Sequence, residues 1–171
     1  ANALAAIAVG LACGLPLEQI GAGLATVQPT AGRLAAAVSP AGVTVIDDCY
    51  NANPGSVRAA IDTLAGCDGS TTLVLGAMKE LGPTSESLHR EIGEYARGVG
   101  IDRFWGVGSQ LQVAVEAFGR GGHWFADCES AISAITDSFT NGDTVLVKRS
   151  RSARMERVLH ALLAAHAPGE H

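Results

Sequence analysis

Apolar residues recur at helical spacing near the start of the chain and then fall into short runs that alternate with helical stretches. Ala1 to Ala12 predicts a helix stopped by Gly14, and Pro16 to Thr26 a second helix with Pro16 in its first turn. Gln28-Pro29-Thr30-Ala31-Gly32 interrupts the pattern and is a candidate linker. Two strand-like runs follow, Arg33 to Val38 and Val43 to Asp47. The Ser39-Pro40-Ala41-Gly42 segment between them predicts a hairpin. From Asn53 the pattern predicts helices at 54–64, 85–97, 110–118, 129–139 and 153–165, and strands at 72–75, 103–107, 123–125 and 144–147.

Two of these strands, Leu73-Val74-Leu75 and Val145-Leu146-Val147, are apolar at consecutive positions. Such runs belong to strands covered on both faces, as in a parallel sheet between helices. The alternation predicts an α/β domain that meets ligands at the C-terminal ends of its strands. Neither an internal repeat nor a low-complexity segment is visible.

Composition narrows the classes. The chain has 171 residues, 47% of them apolar and 17% charged, enough for one domain with a core. With aromatics at 5%, aliphatic residues must fill that core. A net charge of −5 argues against a nucleic-acid partner, because counterion release needs a basic face. No apolar run reaches the roughly 18 residues of a membrane span. Cys13, Cys49, Cys67 and Cys128 form no CxxC pair and read as reduced thiols in a cytoplasmic protein. Cys13 and Cys67 follow apolar helical stretches and are expected to be buried. Ala1 to Leu11 lacks the basic region and cleavage pattern of a signal peptide. A chain starting inside a helix reads as a piece of something longer.

The segment richest in chemistry is Asp47-Asp48-Cys49-Tyr50-Asn51-Ala52-Asn53-Pro54, between an apolar strand and a helix. Asn53 suits an N-cap and Pro54 the first helical position, which is ordinary architecture. Two adjacent acids at a strand end point to opposite faces, so at most one is expected in the cleft. A carboxylate there can bind ribose hydroxyls. No G-x-x-x-x-G-K-[ST] phosphate loop occurs, and Lys79 and Lys148 are the only lysines. Gly106-Val107-Gly108 lacks the third glycine of a dinucleotide fingerprint and reads as a turn. His123, His160, His166 and His171 show no ligand spacing. His89, with Glu86, Arg90 and Glu94 nearby, reads as part of a solvated helix face.

Five segments, in order, resemble those of the Mur ligase family, in particular its D-alanyl-D-alanine-adding members. They are Asn2-Ala3-Leu4-Ala5-Ala6; Pro29-Thr30-Ala31-Gly32-Arg33-Leu34; the Asp47 to Pro54 segment; Leu75-Gly76-Ala77-Met78-Lys79-Glu80-Leu81-Gly82 with Ser85 and His89; and Val147-Lys148-Arg149-Ser150-Arg151-Ser152-Ala153-Arg154-Met155-Glu156. The chain departs from the pattern at Ala77, where the family usually has Asp, and at Arg149, where it usually has Gly. The first removes a carboxylate from a strand end, and the second adds bulk and charge to a tight turn.

The resemblance implies a Rossmann-like, mostly parallel sheet flanked by helices, with an N-terminal antiparallel hairpin. Residues 1–28 would be the helical end of a central ATP-binding domain, and 29–171 the family's C-terminal domain. The implied whole enzyme is a bacterial, cytoplasmic ligase of peptidoglycan synthesis. ATP phosphorylates the terminal carboxylate of a UDP-N-acetylmuramoyl-tripeptide, and the amine of D-alanyl-D-alanine attacks the acyl phosphate. ATP and Mg²⁺ would be held mainly by the central domain, and this chain, probed alone, is expected to be inactive. Arg33 and Lys148 are implied in catalysis; Asn2, Arg33, Asp48 and Asn51 in nucleotide binding; Asn53, His89, Lys148, Ser150 and Arg151 in substrate binding; no residue in metal binding. The expected partners are both substrates and the remaining domains, with no nucleic acid, no membrane insertion and a monomeric state. Closure over the central domain would hinge at Gln28 to Gly32. The cations Lys148, Arg149, Arg151 and Arg154, near a helix N-terminus, are expected to recognise a substrate carboxylate. Three alternatives are another Mur-type or folylpolyglutamate-type amide ligase, a non-catalytic α/β binding module, and a dinucleotide-dependent oxidoreductase. The Tyr50 to Pro54 segment argues against the first, the abrupt helical start against the second and the incomplete glycine fingerprint against the third.

Overall fold

The computed structural model describes residues 2–27, 32–135, 138–149 and 155–165. Two N-terminal helices, α1 (Asn2–Ala12) and α2 (Leu17–Ala25), pack on each other. Pro16 caps α2 from just outside it, in extended backbone, one position before the first turn expected for it. Leu4, Val9, Leu11, Leu15 and Leu17 of this pair are exposed. Cys13 is exposed and Cys67 half-buried, against the expectation of burial for both. The apolar stretch before Cys13 faces outward, so its helical pattern does not mark a core within this chain.

The remaining elements form three layers. The strands β1 (Ala35–Val38), β2 (Thr44–Asp48), β3 (Thr71–Gly76), β4 (Arg103–Val107), β5 (Gly122–Phe125) and β6 (Thr144–Lys148) make one sheet in the order β1-β2-β6-β3-β4-β5. Only the β1–β2 pair is antiparallel, as the hairpin spacing predicts. The helices between and after the strands are α3 (Pro54–Ala65), α4 (Ser85–Gly98), α5 (Gln112–Phe118), α6 (Cys128–Ile135) and α7 (Glu156–Ala164). Alternation along each strand divides the core in two. Ile46, Leu73, Leu75, Phe104 and Leu146 meet Val57, Ile61, Ile92 and Ala114 of α3, α4 and α5. Val45, Val74, Trp105, Val145 and Val147 meet Ala131, Ile135, Val158 and Leu162 of α6 and α7. β3 and β6 are buried at every position, which explains their unbroken apolar runs.

Local chemistry sets the boundaries. Arg33 and Leu34 lie outside β1, because Gly32 and Leu34 take left-handed φ values of 74° and 55°. The helix expected from residue 110 opens as a short 3-10 turn, Ser109–Leu111. Asn53 caps α3 through a capping box with Ser56, and Pro54 is the first helical residue, as expected. At Gly93, any β-carbon would lie 2.0 Å from the Ala114 carbonyl oxygen, so glycine is what lets α4 and α5 approach so closely.

Candidate functional site

β6, the last strand in sequence, lies between β2 and β3. The chain leaves β2 for α3 on one face and leaves β6 for α7 on the other, so a crevice opens between their C-terminal ends. Asp48 and Lys148 are register partners at that point.

The two acids divide their work as alternation requires. Asp47 turns to backbone: its carboxylate accepts from Gly32 N–H at 2.9 Å and Cys49 N–H at 3.0 Å. Tyr50 N–H in turn donates to the Gly32 carbonyl at 2.9 Å. The end of the linker segment is thereby tied to the end of β2. Arg33, exposed between two left-handed residues, lays its guanidinium over the Tyr50 ring, 4.1 Å from the centroid. Asp48, on the other face, forms an ion pair with Lys148. The Lys148 ammonium also donates to the Asn51 carbonyl at 3.0 Å, and the residue is 2% exposed.

This geometry revises several sequence expectations. Lys148 is a buried, paired cation, not an open one. Asp48, implied in nucleotide binding, also serves as the partner of this buried ammonium. Arg149 is also buried and pairs with Glu156 at the start of α7. Two of the four cations near that helix are thus neutralised inside the protein; Ser150, Arg151 and Arg154 lie outside the described residues. Asn51 is exposed and its side-chain oxygen accepts from Ala52 N–H at 2.9 Å, a bond within its own turn. The Asn53 side-chain oxygen is taken by Ser56 N–H at 2.9 Å. Asn2 opens α1, in the first of the five segments, and its side chain lies outside the described part of the structure.

His89 is not on a solvated face, and both of its ring nitrogens are engaged within the protein. It is 0% exposed on α4, against a cavity of about 480 Å³ between α4 and α5. Met78 N–H donates to its Nε2 at 3.1 Å, so Nε2 carries no proton. Nδ1–H donates to the Ser85 carbonyl at 2.7 Å. Burial holds the ring's pKa below the ordinary histidine value, against the opposing pull of the Ser85 bond.

A second cavity, about 240 Å³, opens between Gly32, Cys49, Tyr50, Arg149 and Glu156. Burial first, then the Asp47 carboxylate, push the Cys49 thiol up to about 12. It donates to the Val147 carbonyl and carries no thiolate chemistry at neutral pH. Among the described residues no cluster of His, Cys, Asp or Glu could hold a metal ion, and no helix is long and apolar enough to cross a membrane.

Asp47 and Tyr50 shape the candidate site, and neither was singled out as a site residue in the sequence. An acid accepting from the N–H two residues on is a common turn, and that signal was available for Asp47. Nothing local marked Tyr50 as the platform for Arg33.

Residues 32–151 match the family described as Mur ligase, glutamate ligase domain. The chain is 43% identical over 164 residues to the UDP-N-acetylmuramoyl-tripeptide–D-alanyl-D-alanine ligase of Escherichia coli K12. It is 32% identical over 170 residues to the enzyme of that name from Bacillus subtilis 168. Each match covers 95% of this chain, which spans only 36% and 37% of the relatives' length. A crystal structure of MurF from Acinetobacter baumannii superposes with a TM-score of 0.84 at 31% identity, over 95% of this chain and 36% of that one. MurF from Thermotoga maritima in complex with ADP gives 0.78 at 29% identity, over 92% of this chain and 36% of that one.

Proposed function

The chain belongs to the Mur ligase family, and from that premise we propose that it is the closing domain of an ATP-dependent ligase joining D-alanyl-D-alanine to UDP-N-acetylmuramoyl-tripeptide. The observation that carries the reading is that Arg33, seated over Tyr50, and Asp48 both stand by the C-terminal end of β2. The Asp47–Gly32 bond ties the linker to β2, and this sets an exposed guanidinium beside the strand end that carries a paired carboxylate.

These groups fit a nucleotide as one wall of a shared site. Arg33 has the charge and reach for phosphate oxygens, and the Asp48 carboxylate has the acceptors for ribose hydroxyls. Asn51 and Asn2 extend the nucleotide side. Asn53, Lys148, Ser150 and Arg151 belong to the side facing the peptide substrate, with Lys148 acting through Asp48. His89 serves the substrate side through the loop it holds. Mg²⁺ and most of the phosphate contacts fall to the rest of the protein, since this chain has no phosphate loop. Residues 1–28, among which Leu4, Val9, Leu11, Leu15 and Leu17 are exposed, belong to the preceding domain, and Gln28 to Gly32 is the hinge. The 171 residues alone turn over no ATP. What the closing domain supplies is positioning and charge near the transferred phosphoryl group.

The test is ligation by the intact protein given UDP-N-acetylmuramoyl-tripeptide, ATP and Mg²⁺ with either D-alanyl-D-alanine or a single amino acid. Product with the dipeptide, and a KM for ATP raised at least tenfold by Arg33→Ala, are the expected results. Product only with the single amino acid would make the protein a sister ligase. Unchanged ATP kinetics in Arg33→Ala would remove Arg33 from the nucleotide wall.

A further inference from the structure

The loop from Ala77 to Leu81 connects β3 to the Gly82–Thr84 turn and α4, and it emerges beside the Asp48–Lys148 pair, because Leu75 of β3 is the register partner of Lys148. The loop is short and under conformational strain. Among the described residues Glu80 is one of two non-glycine residues with positive φ, at 62°. Strain of this kind persists only where neighbouring contacts over-determine the backbone. Two contacts do so here. The Met78 side chain is buried in the core between sheet and α4, and the Met78 N–H is captured by His89 Nε2. Lys79 and Glu80, just beyond, are exposed.

From this geometry we infer that His89 is a positioning residue: as a neutral ring, held by Ser85, it pegs the β3–α4 loop at Met78 so that Lys79 and Glu80 are presented to the ligase site. Ser85 and His89 are one helical turn apart, so the helix itself sets the ring's orientation. With Nδ1–H given to the Ser85 carbonyl, Nε2 is left as the acceptor that Met78 N–H needs. Of side chains that can reach from this point of α4, only those ending in an acceptor at the Nε2 position can hold the loop. The role in the site rests on the ligase reading above; the peg itself does not.

The test uses the intact protein. Selective ¹⁵N labelling of histidine reads the tautomer of His89 directly, and the Nδ1–H form is expected; the Nε2–H form would overturn the peg at once. Hydrogen exchange over residues 77–82 is then compared in His89→Leu, which fills the space without an acceptor, and His89→Gln, whose side-chain oxygen can replace Nε2. Exchange in His89→Leu should rise about tenfold or more, the cost of one buried hydrogen bond. His89→Gln should restore most of the protection. Equal protection in His89→Leu and wild type would mean that His89 only fills space. Where folding of His89→Leu fails, the tautomer and the Gln variant still decide. Ligation kinetics form the second arm. The value of kcat/KM should fall about tenfold in His89→Leu and return in His89→Gln. A loosened loop with wild-type kinetics would overturn the positioning role. A wild-type protein with no ligase activity would overturn the ligase reading and leave the exchange result standing.

Discussion

The sheet edge is held at two places, and by opposite means. At the ends of β2 and β6 the anchor is ionic: a lysine with almost no exposure is held by Asp48 and the Asn51 carbonyl. Beyond the end of β3 the anchor is neutral: a buried imidazole accepts from one backbone group and donates to another. A buried ion pair contributes little net stability because both charges lose water, but it is costly to break on one side. A neutral peg loses less on burial and costs less to remove. The ionic anchor therefore makes its own integrity a condition of folding. The neutral one fixes its loop without burying a charge.

Asp48→Ala should produce the largest effect. It strands the Lys148 ammonium in the core, and a loss of about 3–5 kcal/mol is expected in chemical denaturation of the intact protein. Adding Lys148→Met should recover most of that loss, because the orphaned charge goes with it. A double variant as unstable as the single one would show that the pair matters for shape and not for charge. His89→Leu should cost less, about 1–3 kcal/mol, which keeps the ranking of the two anchors; a larger cost than that of Asp48→Ala would reverse it.

Acid separates the anchors further. The His89 pKa is lowered from 6.5 in the folded protein, so the unfolded chain takes up this proton first. Its contribution is intact above about 6.5 and is lost as pH falls through the folded value. The wild-type stability curve should therefore drop more steeply below pH 6.5 than that of His89→Gln, and parallel curves would sink the assignment. The smallest stability effect belongs to Arg33→Ala, outside both anchors. An exposed guanidinium over a tyrosine contributes about 0.5–1 kcal/mol at most, so the melting temperature should barely move while ATP use suffers. A fall as large as that of Asp48→Ala would make Arg33 structural.

The fold was legible wherever side-chain periodicity reports on burial within this chain. The unbroken apolar runs of β3 and β6 announced a covered parallel sheet, and Ser39 to Gly42 announced the hairpin. Periodicity misled at Cys13, because α1 turns its apolar side chains outward. Half of the site was legible. Asn53 as a cap and the opposite facing of Asp47 and Asp48 follow from local rules. The Asp48–Lys148 pair joins residues 100 positions apart, and no local pattern announces it. His89 lay between the two cases. Its charged neighbours suggested a wet face, yet Ser85, His89, Ile92 and Ala96 form one stripe at spacings of four, three and four, and the last three are buried.

The order of the strands also bears on how the protein is made. β2 and β3 are both synthesised long before β6, but they do not pair with each other; each waits for residues 144–148 to fill the space between them. Until then, a nascent chain can join β3, β4 and β5 while β2 and β3 each present an unpaired edge, the kind that invites aggregation. The strand that closes this gap delivers Lys148 to Asp48, so the candidate site is incomplete until β6 is in place. A ribosome stalled before residue 144 should hold a chain that chaperones bind, and one stalled after the final helix has cleared the exit should hold a chain that they release.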